Sequence, residues 1–131
     1  MAEMDVAEEL RRRIAVLGRI DGVGVDVESV ERFAAPDLRI FSPEEIAYCQ
    51  SQAAPAESFA GRWCAKEAVV KALSARSVIS PRNVSITQTA GGSPQATVTG
   101  SDCPHVALVS ISHGASVAVA VAFARFLDLP G

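Results

Sequence analysis

The chain has 131 residues, of which 49% are hydrophobic, 21% charged and 5% aromatic, with a formal net charge of -3. This length and apolar content predict a single domain with a substantial core, and they exclude a disordered chain. The net acidity argues against nucleic acid as a partner. The longest uninterrupted apolar run, 117–124, is far shorter than the ~20 residues of a membrane-spanning helix, so no membrane partner is expected.

The N-terminus and the cysteines point to a cytoplasmic protein. Residues 1–19 mix acidic side chains with the run Arg11–Arg13, and no apolar segment typical of an export signal follows. Three cysteines, Cys49, Cys64 and Cys103, are widely spaced and form no CxxC pair, which argues against a disulfide framework and a zinc site.

The first part of the chain predicts a helix and then a strand. Helical spacing of apolar residues over 6–17 indicates an N-terminal helix, which we separate as an extension (1–19) from a main domain (20–131). The run Arg11–Arg13 falls on its polar side. Alternation over 20–27 predicts a strand, with one face expected to be buried: Val23, Val25 and Val27.

Two helices and four strands are predicted downstream. Ser42 and Pro43 start a helix that runs to about Cys49 or Gln50, and a second helix covers 56–73. The second helix carries one apolar stripe, formed by Phe59, Trp63, Val70 and Leu73. Strands over 83–89 and 95–99 form a hairpin, and strands over 106–112 and 117–126 follow. The last strand is apolar on both faces, so both are expected to be covered. The fold class is α+β, with helices packed on a small antiparallel sheet in one domain.

Four polar features suggest chemistry, although each has a structural alternative. Asp26 lies inside an apolar strand, where a water-facing position at the strand end is the simpler interpretation. Glu67 and Lys71 are spaced i, i+4, like many surface ion pairs. Lys66 falls within the apolar stripe and needs a partner, for which an anionic ligand is one candidate. His113 is placed at a turn between two strands, as many non-functional histidines are.

Three motifs together resemble the holo-acyl-carrier-protein synthase type of 4'-phosphopantetheinyl transferase. They read GVGVDVE over 22–28, FAGRWCAKEAVVKAL over 59–73 and VSISH over 109–113. The stretch from Glu45 to Lys71 is also similar to the transferase domain of fungal-type fatty acid synthases. The resemblance implies that fold, and transfer of the phosphopantetheine arm of coenzyme A to a serine of an apo-acyl carrier protein, with release of 3',5'-ADP.

The resemblance also implies a role for each motif residue. Asp26 and Glu67 match the residues that hold Mg²⁺, whose oxygen-rich coordination suits carboxylates and phosphates. Lys71 matches the lysine that contacts the pyrophosphate and, with Glu67, forms the catalytic pair. Arg62, Lys66 and His113 are candidate contacts for the phosphates of coenzyme A. The general base is open: Glu67 is a plausible choice, because Lys71 would have to lose its proton while facing phosphates.

Partners and alternatives follow from the same resemblance. A short family member of this kind assembles as a homotrimer with coenzyme A in clefts between subunits, and its carrier belongs to a fatty acid or polyketide synthase. The chain departs from the family at 74–77, where SARS replaces a glycine-containing turn, and it is shorter after Phe33, which leaves Arg32 and Arg39 as nearby basic residues. These departures support one alternative, a non-catalytic module that binds coenzyme A or a carrier. An unrelated Mg²⁺-dependent phosphate-binding enzyme is a further alternative.

Overall fold

The structure is a computed structural model that describes residues 7–8 and 18–128. Most of the predicted N-terminal helix, including Arg11–Arg13, lies outside the described residues, so the division at residue 19 stays a prediction. None of the helices in the described ranges is long and apolar enough to cross a membrane.

Between residues 18 and 128 the chain forms two α-helices and five strands. In order they are β1 (Gly22–Ser29), α1 (Pro43–Ser51), α2 (Pro55–Leu73), β2 (Val84–Gln88), β3 (Pro94–Val98), β4 (His105–His113) and β5 (Val117–Phe126). One antiparallel sheet has the order β1-β5-β4, and β2 and β3 form a separate hairpin. The predicted α+β class and the small antiparallel sheet are confirmed.

The start of α1 agrees with its sequence signature. Ser42 is the N-cap and Pro43 takes the first helical position, and the Ser42 hydroxyl accepts a hydrogen bond from the Glu45 N–H. The Glu45 carboxylate accepts one in return from the Ser42 N–H at 2.7 Å. This reciprocal arrangement is a capping box, which satisfies two backbone donors that the helix itself cannot.

Helix α2 is the centre of the molecule. It packs on the three-stranded sheet, on α1 and on the hairpin, so its buried residues extend around most of its circumference. Of the predicted stripe, Phe59 and Leu73 are buried, whereas Trp63 and Val70 are only partly buried. More of α2 is therefore buried than the predicted apolar stripe, because several elements contact the helix from different directions.

The prediction that Val23, Val25 and Val27 face the core is wrong. These valines are 55%, 50% and 59% exposed, and it is the opposite face of β1 that contacts α2. A Cβ added at Gly22 would lie 1.9 Å from the Ala72 carbonyl oxygen, and one at Gly24 would lie 1.9 Å from that of Ala68. Only positions without a side chain allow this approach, so the helix packs on the face that carries Gly22 and Gly24, although the valine face is more apolar.

The sheet consequently has one covered face and one open face. On the covered face the alanines of β5 pack under α2: Ala118, Ala120, Ala122 and Ala124. The open face presents apolar side chains to the solvent in the single chain: Val23, Val25, Val27, Val106, Leu108, Val117 and Phe123. The expectation that both faces of the last strand are covered thus fails within one chain.

The turn after α2 does not need the glycines of the family pattern. Ser74 keeps helical dihedral angles, and the N–H groups of Arg76 and Ser77 donate to the Leu73 carbonyl at 3.1 and 2.9 Å. Among the described residues only glycines have positive φ, namely Gly18, Gly92 and Gly100. The replacement at 74–77 is therefore compatible with the backbone of this turn.

The close contact between β1 and α2 predicts that Gly24→Ala is strongly destabilising. A methyl group there overlaps the Ala68 carbonyl, and such overpacking costs about 1–3 kcal/mol or more. Chemical denaturation followed by the fluorescence of the single tryptophan, Trp63, measures the loss. Gly91→Ala is the matched control, because its Cβ would have Thr89 Oγ1 as nearest neighbour at 3.9 Å. Equal stability of the two variants would contradict the packing argument.

Candidate active site

Asp26 lies on the covered face of β1, next to the C-terminal half of α2. Its side chain is only 13% exposed, so the interpretation as a water-facing aspartate at a strand end does not hold. Oδ1 accepts a hydrogen bond from Lys71 Nζ at 3.0 Å, and the same ammonium donates to the Val25 carbonyl at 2.9 Å. Oδ2 is buried and has no hydrogen-bond partner among the described residues.

Glu67, one turn before Lys71 on α2, lies in the electrostatic field of Asp26. Burial raises the pKa of the Glu67 carboxyl above its ordinary value, and the negative charges of Asp26 and Glu28 act in the same direction while Lys71 opposes them. Asp26, Glu67 and Lys71 therefore meet at one place, which we call the Asp26 cluster. The sequence spacing alone suggested a Glu67–Lys71 pair, but the ammonium of Lys71 makes its ion pair with Asp26 on β1.

The Asp26 cluster fits a divalent cation with oxygen ligands. The buried Asp26 Oδ2 lacks a partner, and the crowding of carboxylates around Glu67 is the kind of repulsion that a cation relieves. Burial and the charges of Asp26 and Glu28 raise the pKa of Cys64 to about 12, so the neighbouring thiol stays protonated. No group of three or more metal-binding side chains was found among the described residues. Two carboxylates suffice for Mg²⁺, whose remaining ligands are commonly water and phosphate oxygens.

A second site lies toward the N-terminal half of α2, and we call it the Arg62 cleft. It has a volume of about 150 Å³, and Tyr48, Arg62, Gln88 and His113 are in its wall. The Arg62 guanidinium lies 4.2 Å from the centroid of the Tyr48 ring, and the Tyr48 hydroxyl accepts a hydrogen bond from Gln88 at 2.8 Å. Arg62 is 5% exposed, yet its Nε and Nη2 have no hydrogen-bond partner in the described part of the chain. Buried donors left unpaired are costly, and an anion would satisfy them.

His113 is the last residue of β4, and its ring is anchored to α2. Its Nδ1 lies 3.1 Å from Glu57 Oε1. Gly61 passes close to the ring, since a Cβ there would lie 3.3 Å from His113 Cδ2. The structure thus places Arg62 and His113 in the wall of the same cleft.

Lys66 is not part of either site. Its side chain is 1% exposed and pairs with Glu45, which is 0% exposed, at 2.7 Å between Nζ and Oε1. Nζ also donates to the Val84 carbonyl, and Glu45 Oε2 accepts from the Ile86 N–H at 2.9 Å. The anionic partner that Lys66 requires is therefore a buried side chain. This placement corrects the expectation that Lys66 contacts a phosphate of coenzyme A, because its ammonium is buried and already neutralised by Glu45. Removing either residue of the pair would leave the other as an unpaired buried charge.

Four residues near these sites were missed by sequence reasoning. Glu28 shares the face of Asp26, and the period of two along β1 is a signal that points to it. The roles of the remaining three arise from contacts between separate elements, which no local sequence pattern indicates: Glu45, Tyr48 and Glu57.

The chain belongs to the 4'-phosphopantetheinyl transferase superfamily, which its sequence matches over residues 22–122. The holo-[acyl-carrier-protein] synthase of Streptomyces coelicolor is 37% identical over 120 residues, covering 81% of this chain and 98% of that protein. Fatty acid synthase subunit alpha of Candida parapsilosis is 39% identical over 121 residues and 80% of this chain. This chain spans only 6% of that subunit's length.

Solved structures support the same fold. The acyl carrier protein synthase of Mycobacterium tuberculosis superposes with a TM-score of 0.69 at 31% identity, covering 82% of this chain and 99% of that chain. The Chronobacterium ammoniagenes synthase in complex with coenzyme A gives a TM-score of 0.69 at 27% identity, covering 80% of this chain and 96% of that chain. The fold that the three motifs imply is confirmed.

The raised pKa of Glu67 predicts that Glu67→Gln stabilises the protein at neutral pH. Because the folded-state pKa is raised, the ionised carboxylate destabilises the native state above that pKa, and the penalty disappears as protons bind at lower pH. In metal-free buffer, we expect the Tm of Glu67→Gln to exceed that of the wild type at pH 7 by a few degrees. The difference in Tm should shrink as the pH falls to about 4, the ordinary pKa of a carboxyl group. Thermal melts over this range measure it.

The control for this experiment is Glu31→Gln, which changes an exposed glutamate just after β1. Its Tm is expected to follow that of the wild type at every pH. A Glu67→Gln variant less stable than the wild type at pH 7 would show that Glu67 is held mainly by attraction to Lys71.

Proposed function

We propose that this chain is a holo-acyl-carrier-protein synthase, which transfers 4'-phosphopantetheine from coenzyme A to a serine of an apo-acyl carrier protein and releases 3',5'-ADP. The observation that carries the proposal is the Asp26 cluster, in which two carboxylates and a lysine converge at the contact between β1 and α2. Family membership gives this cluster its chemistry. In the reaction a bond forms between the serine oxygen and phosphorus, and the bond from that phosphorus to the bridging oxygen of the pyrophosphate breaks.

Asp26 and Glu67 would hold Mg²⁺, which offsets phosphate charge and stabilises the leaving group. The unpartnered Oδ2 of Asp26 is the oxygen left for this purpose, since Oδ1 is occupied by Lys71. The side chain of Lys71 is 49% exposed, so it remains accessible to a pyrophosphate while Asp26 orients its ammonium. Electrostatic stabilisation of this type is typically the largest contribution to such reactions.

Glu67 is the better candidate for the general base, directly or through a water molecule. Burial, together with the negative charges of Asp26 and Glu28, raises the pKa of Glu67, which makes it a stronger base than an ordinary carboxylate. Lys71, in contrast, is positively charged in its ion pair with Asp26, and the reaction needs that charge beside the phosphates. The proton of the serine hydroxyl would therefore leave toward Glu67.

The Arg62 cleft is the proposed site for a phosphate of coenzyme A that does not react. Arg62 supplies unpaired guanidinium donors, and His113 supplies an imidazole in the same wall. Buried or partly buried cations bind phosphate strongly because their donors have no competing partner. Lys66 is left out of this set, since Glu45 already neutralises it.

The carrier would be the acidic partner of this enzyme, in the cytoplasm, and it belongs to a fatty acid or polyketide synthase. Arg32 pairs with Glu28, and Arg39 pairs with Asp37 at 3.0 Å. Both arginine side chains are exposed, 67% for Arg32 and 82% for Arg39, although Glu28 is only 14% exposed. Ion pairs of exposed side chains contribute little to stability, so both arginines are accessible to a carrier. Docking then requires the exchange of an internal carboxylate for one of the carrier.

The proposal predicts that Asp26→Asn slows transfer at least about 100-fold, because it removes charge from the metal site at nearly constant shape. Apo-carrier protein is incubated with coenzyme A and Mg²⁺, and the gain of the phosphopantetheine mass is followed by mass spectrometry. Glu31→Gln serves as the control and should transfer at the wild-type rate. Full activity of both Asp26→Asn and Glu67→Gln would refute the metal assignment. Binding of coenzyme A by the wild type without any transfer would favour the non-catalytic module.

The same reasoning extends to assembly as a homotrimer. The open face of the sheet exposes seven large apolar side chains in one chain, more than a monomer normally leaves in contact with water. Antiparallel sheets tolerate one solvated face when that face is polar, and this one is not. The Asp26 cluster and the Arg62 cleft lie on different turns of α2, and the resemblance implies that coenzyme A lies in a cleft between two subunits.

If the open face is the subunit interface, Val23→Glu is expected to shift the protein from trimer to monomer and to reduce transfer with it. A charge buried at an interface without a partner is strongly unfavourable. Sedimentation velocity over a range of concentrations reports the assembly. Val78→Glu is the control, because Val78 is 98% exposed and lies off the sheet. An active wild-type monomer at assay concentrations would refute the shared cleft.

A further inference from the structure

Glu57, in the first turn of α2, is the side chain that fixes the ring of His113. The distance from Glu57 Oε1 to His113 Nδ1 is 3.1 Å, and the two side chains are 25% and 41% exposed. Glu57 itself does not line the Arg62 cleft, whereas His113 does. The contact that links Glu57 to the cleft is therefore the one with His113.

The geometry of this pair decides which ring nitrogen is available. A carboxylate on Nδ1 fixes the orientation of an imidazole and leaves Nε2 as the nitrogen that contacts other groups. When both nitrogens carry protons, Nε2–H donates to a phosphate oxygen. Arg62 already places one positive charge in the cleft, so a second positive charge on the His113 ring would be repelled. The negative charge of Glu57 beside the ring offsets this repulsion.

We propose that Glu57 is a positioning residue for coenzyme A, which holds His113 so that Nε2 meets a phosphate bound beside Arg62. This inference rests on the proposed function. Gly61 leaves room for the ring, because a Cβ there would lie 3.1 Å from Ile111 Cγ2 and 3.3 Å from His113 Cδ2, which is tighter than an ordinary contact.

Calorimetric titration with coenzyme A and steady-state transfer kinetics test the proposal. In Glu57→Ala we expect the Kd and the KM for coenzyme A to rise about 3- to 10-fold, the range for a lost charge-assisted contact. The kcat and the KM for the carrier should stay within about twofold of the wild type, because Glu57 is remote from the Asp26 cluster. Glu57→Gln, which keeps a polar group at Nδ1, is expected to recover part of the affinity.

A merely structural role would be visible in two controls. Glu57→Ala should leave the Tm nearly unchanged, since partly exposed pairs contribute only ~0.2–1 kcal/mol. Glu44→Ala removes an exposed acid from the first turn of α1 and should leave coenzyme A binding unchanged. It matches Glu57→Ala in its effect on the helix dipole.

A double-mutant cycle decides whether Glu57 acts through His113. We expect His113→Ala to weaken coenzyme A binding, and the addition of Glu57→Ala to that variant to have no further effect. An unchanged Kd in Glu57→Ala or in His113→Ala, or an equal loss in both backgrounds, overturns the proposal. A wild-type protein that neither binds coenzyme A nor transfers the arm overturns the proposed function as well, whereas an active wild type with additive losses overturns only the role of Glu57.

Discussion

The contact between the backbones of β1 and α2 is the constraint on which the rest of the structure depends. Gly22 and Gly24 leave no room for a Cβ between the strand and the helix, so the two elements approach as closely as their main chains allow. This approach brings Asp26 on the strand to Lys71 on the helix, residues that are 45 positions apart in sequence. It also turns the valines of β1 away from the core. The geometry of the candidate active site and the apolar open face therefore have the same origin.

The protein treats its buried charges in two different ways. Lys66 and Glu45 neutralise each other, and each also bonds to the backbone, so this pair joins α1, α2 and β2 and offers nothing to a ligand. The hydrogen bonding of Asp26 and Arg62 is incomplete, because one carboxylate oxygen of Asp26 and two guanidinium nitrogens of Arg62 lack partners among the described residues. Unpaired polar atoms lower stability, and they occur where a ligand supplies the missing partner. All four side chains lie on α2 or contact a side chain of α2.

Between residues 18 and 128, local sequence patterns identified both α-helices and all five strands, although β1 begins and ends two residues later than predicted. The predicted bounds of β5 coincide with the observed ones, and the helix start at Ser42 has the capping box that its residues favour. The motifs also identified Asp26, Glu67 and Lys71, which meet in space. The choice of the buried face of β1 was wrong, because hydrophobicity was weighed without the packing of a helix whose own carbonyls fill the space above the strand. The partner of Lys66 was missed for a related reason, since Glu45 reaches it only after α1 has packed on α2.

The sequence by itself therefore determined the family, the order of the elements and most of the residues that carry the proposed chemistry, because these depend on residue types at fixed spacing. Only the tertiary structure decided which of the charged residues remain open to a ligand, which face of the sheet is left uncovered and which side chain holds His113. These outcomes depend on distances between elements far apart in the chain, such as 3.1 Å between Glu57 and His113 and 2.7 Å between Glu45 and Lys66. No periodicity along the chain encodes a distance of that kind, because it arises from packing.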